Sequence, residues 1–219
     1  MSDTAASSAT ASALRTSLIL AAFVLVFTGL LSVVYQWTRP RIEASLAAER
    51  LQIINEVLPA RHYDNDLLAD TLTLPPTPEL GQKSASVVYR ARRQGRPAAL
   101  VLEAIAPDGY AGEIRLILAI GHDGVITGVR VVEHKETPGL GDYIDPKKDK
   151  DKKYPWILQF NGLDYPRTPA ADWKVRKDKG IFYYRVGATI TPRAVIAAVG
   201  RAARFATEHR EELFAETTP

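Results

Sequence analysis

Polar and apolar positions divide the chain into distinct regimes. From residue 16 to residue 38 no charged side chain occurs, and the centre of the run reads LILAAFVLVFTGLLSVV. About 20 apolar residues rising ~1.5 Å each cover a hydrocarbon core of about 30 Å, so this run predicts a single membrane-crossing helix. Tyr35 and Trp37 stand at its end, where amphipathic rings favour the membrane interface. A cleaved secretory signal has a shorter apolar stretch and a small-residue exit. Here the exit is the bulky Tyr35-Gln36-Trp37-Thr38-Arg39-Pro40, which favours a retained anchor. Arg15 precedes the run while Arg39, Arg41 and Arg50 follow it. Counted alone, these charges would place the rest of the chain in the cytoplasm.

Beyond Pro40 the apolar positions Ile42, Leu46, Leu51, Ile54 and Leu58 suit an amphipathic helix continuing from the membrane and ended by Pro59. Residues 61–82, rich in Pro, Thr and Asp, read as an irregular loop. Alternating patterns then predict strands at 86–92 and 98–106, joined by the turn Gln94-Gly95-Arg96-Pro97, and at 113–120 and 125–133, separated by His122-Asp123-Gly124. Residues 143–153 (YIDPKKDKDKK) read as a charged, solvated loop, and 155–161 as the start of a short helix. Further strands are expected at 173–177 and 181–186. Residues 192–213 carry the apolar stripe Val195, Val199, Ala202 and Phe205 of a helix. The expected organisation is an N-terminal tail (1–15), a transmembrane helix (16–38), a helical and irregular connector (39–82) and a folded domain (83–215). The fold class is α+β: a mostly antiparallel sheet packed with helices behind one transmembrane helix.

Composition narrows the chemistry. The 219 residues are 46% hydrophobic and 24% charged, as expected of a folded globular chain with an appendage. There is no cysteine, which excludes thiolate zinc sites, iron–sulfur clusters, thioether-linked haem and cysteine nucleophiles. The histidines His62, His122, His134 and His209 show no metal-ligand spacing. A net charge of +3 is too small to point to nucleic acid.

Two loops carry candidate chemistry. The first, ETPGLGD at residues 136–142, directly follows the strand ending at residue 133. Its glycines allow close approach of a ligand to backbone amides, Glu136 and Thr137 offer hydrogen bonds, and Leu140 offers an apolar platform. As bare pattern it is equally a strand-terminating turn. The second, GATIT at residues 187–191, precedes the C-terminal helix. Thr191 reads as the N-cap and Pro192 as the first helical residue. Free amides at such a helix start attract phosphate, which would place a phosphate near Thr189.

These two loops, in this order behind one N-terminal span, resemble the FMN-binding RnfG subunit of the Rnf electron-transport complex. They are also similar, less closely, to the equivalent subunit of the sodium-pumping NADH:quinone oxidoreductase. The strings ETPGLGD (136–142) and GATITPRAV (187–195) match the family's two signatures. APDGY (106–110) and WKVRKD (173–178) resemble family phrases. The resemblance implies an FMN-binding domain at residues 83–215, with FMN joined through its phosphate to the hydroxyl of Thr189 by a flavin transferase that uses FAD as donor. It implies Glu136 and Thr137 on the ring edge, Leu140 and Gly141 on its face, and Tyr110 or Gly112 closing the pocket. Gly187, Ala188 and Thr191 belong to the attachment motif, and Lys177 would offset phosphate or reduced-ring charge. It further implies a single-pass protein of the bacterial inner membrane with its domain in the periplasm, against the arginine count. There it would relay electrons with the other Rnf subunits between ferredoxin and NAD, and it would be inert alone. The transferase signature has an acidic residue six positions before the target and a small one three before it; here Tyr183 and Val186 stand there, and Asp178 is the candidate substitute acid. That departure keeps a flavin-free structural or sensor adaptor as an alternative.

Overall fold

The computed structural model describes residues 3–215. The chain divides into two compact units, residues 1–49 and residues 50–219. The first is helix throughout, part of α1 (Asp3–Val57), so the expected tail at 3–15 is helical. Its side chains from Leu14 to Trp37 point outward on every side, Leu18, Phe23, Leu25 and Leu31 among them. A helix that is apolar all round needs an apolar surrounding. Its most apolar window reaches a mean hydropathy of 2.6, consistent with membrane anchoring. Pro40 lies within α1 and does not end it.

The second unit is built on one antiparallel meander of strand order β1-β2-β3-β4-β5, comprising β1 (Thr71–Leu74), β2 (Ser86–Arg93), β3 (Arg96–Gly109), β4 (Gly112–Gly121) and β5 (Ile126–Glu133). Four of these follow the alternating patterns. β1 does not: it lies in the stretch expected to be irregular, yet Thr71 to Leu74 pair in register with Tyr89 to Ser86. Its four residues, TLTL, are too short to show a period, and the exposed hydrogen-bonding edge of β2 makes them a strand.

Alternation sorts the sheet into two apolar faces. Val88, Leu100, Leu102, Leu116 and Leu118 point to one side and meet Val195, Ile196, Val199 and Ala202 of α2 (Ile190–Glu208), with a short α3 (Arg210–Phe214) after it. Tyr89, Ala91, Val101, Ile117 and Ala119 point to the other and are covered by Ile54, Val57 and Leu58 at the end of α1 and by Leu67. The Thr127 hydroxyl donates to the Val57 carbonyl at 2.9 Å. The compact unit therefore starts near residue 50, well before the expected boundary at 83, because one sheet face would otherwise be bare.

Two expectations about the chain after β5 do not hold. The segments 173–177 and 181–186 are not strands. They fold back on each other through 3₁₀ turns and a single Val175–Phe182 bridge, with Lys179 in the left-handed region. Trp173, Val175 and Phe182 alternate with exposed residues because they plug one side of the core, where Phe160 meets both rings. The segment 143–153 is only partly solvated. Tyr143, Ile144 and Asp149 are buried, and Asp149 accepts the Trp156 N–H at 2.7 Å and pairs with Arg185. The expected helix at 155–161 forms as a 3₁₀ turn, Trp156–Phe160.

Candidate functional site

Three loops meet at the N-terminal end of α2: the β3–β4 turn around Tyr110, the ETPGLGD loop after β5, and the GATIT loop. Between them lies a cleft of about 240 Å³ lined by Tyr110, Glu136, Thr137, Leu140, Gly141 and residues 187–191. That is slightly below the usual range for small-molecule sites, about 300–1,000 Å³, and it is open at its mouth to a longer ligand.

Glu136 holds the three loops together. It is only 4% exposed. Its Oε1 accepts the Ala111 N–H of the β3–β4 turn at 3.1 Å, and its Oε2 accepts the Thr191 hydroxyl at the start of α2. The loop around it is self-braced: the Glu136 N–H donates to His134 Nδ1 at 3.1 Å, and the Gly139 N–H to Asp142 Oδ1 at 2.9 Å. Gly141 is what allows the closeness. A Cβ there would lie 2.5 Å from Glu136 Oε2 and 2.7 Å from Thr191 Oγ1.

The second loop is a tight turn. Gly187 has φ +93°, the left-handed region a third turn residue needs, and the Ala188 N–H returns to the Arg185 carbonyl at 3.2 Å. The Tyr143 hydroxyl donates to the Ala188 carbonyl at 3.2 Å and accepts the Arg185 N–H at 3.3 Å. Burial pushes the Tyr143 phenol up from its ordinary pKa, with the Arg185 bond and charge working against the shift. The turn thus ends on a fixed platform directly before the helix.

Helix α2 begins two residues earlier than its cap signal suggests. Thr189 occupies the N-cap position and makes no capping bond with its side chain, and Ile190 is the first helical residue. Thr191 is not the cap. It is 1% exposed, its hydroxyl is committed to Glu136, and Pro192 stands third in the helix rather than first. The partly exposed Thr189 hydroxyl lies in the cleft wall, beside the first helical amides, which have no intrahelical acceptor.

Most residues singled out in the sequence therefore converge: Tyr110, Glu136, Thr137, Leu140, Gly141, Gly187, Ala188, Thr189 and Thr191 all line the cleft. Gly112 and Lys177 do not. Gly112 ends the β3–β4 turn, and Lys177 sits exposed on the 3₁₀ turn Arg176–Asp178. Asp178, the candidate substitute acid, is bound by Arg193 through two bonds of 2.6 Å, which hold its carboxyl below the ordinary carboxylate range. Tyr183 is exposed, with the Arg176 guanidinium 3.5 Å above its ring. Sequence reasoning missed Ile190 in the cleft wall, and the supports Tyr143, Asp149 and Arg185, which carry no motif signal.

Residues 109–204 match the FMN-binding domain family, and residues 1–57 match the RnfG N-terminal region. The chain is thus of the class that sets an FMN-binding domain behind an N-terminal apolar helix. It is 43% identical over 205 residues to the RnfG subunit of the ion-translocating oxidoreductase complex of Vibrio cholerae serotype O1, covering 94% of this chain and 95% of that protein. It is 40% identical to the corresponding subunit of Pseudoalteromonas atlantica over 91% of each chain, and 40% identical to that of Shewanella oneidensis over 93% of each. The chain belongs to the RnfG family of ion-translocating oxidoreductase complex subunits.

Proposed function

We propose that the chain is a membrane-anchored flavoprotein subunit of an Rnf-type complex, carrying FMN in the cleft between its three loops with the FMN phosphate esterified to Thr189. Bound there, FMN supplies the capacity to take up and release electrons singly or in pairs. The observation that carries the reading is the unequal state of two hydroxyls two residues apart. Thr191 is buried and committed to Glu136, whereas Thr189 opens on the cleft without a capping bond.

The donor set fits this group. The positive end of α2 favours a phosphate beside Thr189. Leu140 and Ile190 offer apolar cover, and Thr137 and Tyr110 offer polar and aromatic contacts. The residues' work is to bind, orient and shield; none is needed as general acid or nucleophile in electron transfer. Attachment requires a flavin transferase, and with Tyr183 exposed and Asp178 tied to Arg193 the transferase must act without an acid six positions upstream. The domain faces the periplasm, the partners are the other subunits of the complex, and electrons pass between ferredoxin and NAD. A single span without buried charge offers no ion path, so ion coupling belongs to those partners.

The test is the intact mass of the full chain co-expressed with its flavin transferase, with flavin fluorescence in a denaturing gel. One FMN less water is expected on wild type and on Thr191→Ala, and none on Thr189→Ala. Covalent flavin retained on Thr189→Ala overturns the assignment. An alkaline phosphatase fused after Phe214 is expected to be active in intact cells.

A further inference from the structure

Among the described residues that line the cleft, Glu136 is the one with a charged side chain. No ion pair among the described residues involves it. Its two oxygens are met by neutral donors, the Ala111 N–H and the Thr191 hydroxyl, which fix the carboxylate in place without cancelling its charge. Nearly all of its surface is withdrawn from water, and Leu140, Gly141, Ala188 and Ile190 wall the cleft beside it. A fixed charge in such a setting acts over a longer range than a solvated one. A negative charge there opposes the arrival of electrons.

We propose that Glu136 sets the reduction potential of the cleft's redox group, holding it lower than the same cleft would without the carboxylate. This rests on the reading of the cleft as the flavin site. Glu136 donates no electron and no proton; electrons enter and leave through the redox partners, and the carboxylate makes their addition less favourable. The glycine at 141 and the bonds to Ala111 and Thr191 serve this role by keeping the charge at one position.

Two substitutions separate charge from bracing. Glu136→Gln removes the charge but keeps both contacts, because its amide oxygen accepts from Ala111 and its amide nitrogen can donate to the Thr191 hydroxyl. Thr191→Val removes one brace and leaves the charge. Each full-length chain is loaded by the flavin transferase, its modification at Thr189 is confirmed by mass, and its midpoint potential is titrated at mildly alkaline pH, where protons do not fully compensate the added electrons. Glu136→Gln is expected to raise the potential, shifting the reduction equilibrium roughly tenfold, the scale of one charge acting across about 12 Å at an effective dielectric of about 20. Thr191→Val is expected to shift it much less. An unchanged potential in a loaded Glu136→Gln chain overturns the proposal while leaving the flavin site standing, and so does an equal shift in Thr191→Val. A Glu136→Gln chain that cannot be loaded also overturns it, making Glu136 a maturation residue. Wild type without flavin at Thr189 overturns both this proposal and the reading beneath it.

Discussion

Tyr143 and Ala188, 45 residues apart in the chain, are joined by a hydrogen bond of 3.2 Å from the phenol to the carbonyl. The same oxygen takes the Arg185 N–H, so one side chain closes both ends of the turn that precedes Thr189. Tyr143→Phe leaves these two backbone groups short of a partner, a loss of about 1–2 kcal/mol. The expected result is a melting temperature lower by a few degrees and slower attachment of flavin, read by a thermal melt and by the time course of in-gel fluorescence.

The same phenol predicts a pH dependence. Its pKa in the folded chain is raised by burial above the ordinary 10.0. Above that value the unfolded chain loses this proton first, so the folded chain holds more protons and stability falls with pH. The contribution is complete below pH 10.0 and disappears as pH rises through the folded value. Denaturant melts of wild type should weaken more steeply above that pH than those of Tyr143→Phe. Parallel slopes would refute the assignment.

Asp178 and Arg193 give the opposite sign. The Arg193 hydrogen bonds hold the Asp178 carboxyl below its ordinary 3.8, so the pair contributes above pH 3.8 and is lost as pH falls through the folded value. Asp178→Asn should be slightly less stable than wild type at neutral pH, and the two should converge in acid. Acid titration followed by circular dichroism measures this.

Gly141→Ala brings a Cβ to 2.5 Å from Glu136 Oε2 and 2.7 Å from Thr191 Oγ1. The clamp must open or the loop must move, at a cost of about 1–3 kcal/mol. Both melting temperature and flavin loading are expected to fall. A variant as stable and as fully loaded as wild type would show that the clamp is dispensable.

Asp149→Ala removes the buried acceptor of the Trp156 N–H and the partner of Arg185. Arg185 is partly solvated, with 37% of its side chain exposed, so the loss lies nearer about 1–3 kcal/mol than the larger penalty of a fully buried pair. Urea unfolding monitored by Trp156 and its neighbours reads it directly.

Much of this architecture is local in origin. The unbroken apolar run predicts its own helix, because charge-free length is the property a bilayer selects. Strands β2 to β5 show in the period-two alternation of residues such as Leu100, Leu102, Leu116 and Leu118, since each covers a core on one face at least. The two loop motifs stand out because glycines at 139, 141 and 187 are placed where the backbone needs them.

Other features depend on contacts between distant parts of the chain. Strand β1 exists because β2 offers it an edge. Trp173 and Phe182 look like strand residues, yet they plug the core between 3₁₀ turns. Asp149 sits in a lysine-rich segment that any local reading would leave in water, but Arg185 and Trp156 bury it. The decisive case is the GATIT loop. Local preference makes Thr191 the cap, since a threonine before a proline is a sound helix start. Glu136, 55 residues earlier, takes that hydroxyl instead, the helix begins at Ile190, and Thr189 is left open to the cleft. Propensity acts over a few residues, whereas a buried carboxylate must find donors wherever the fold brings them, so the choice between the two threonines was made by packing.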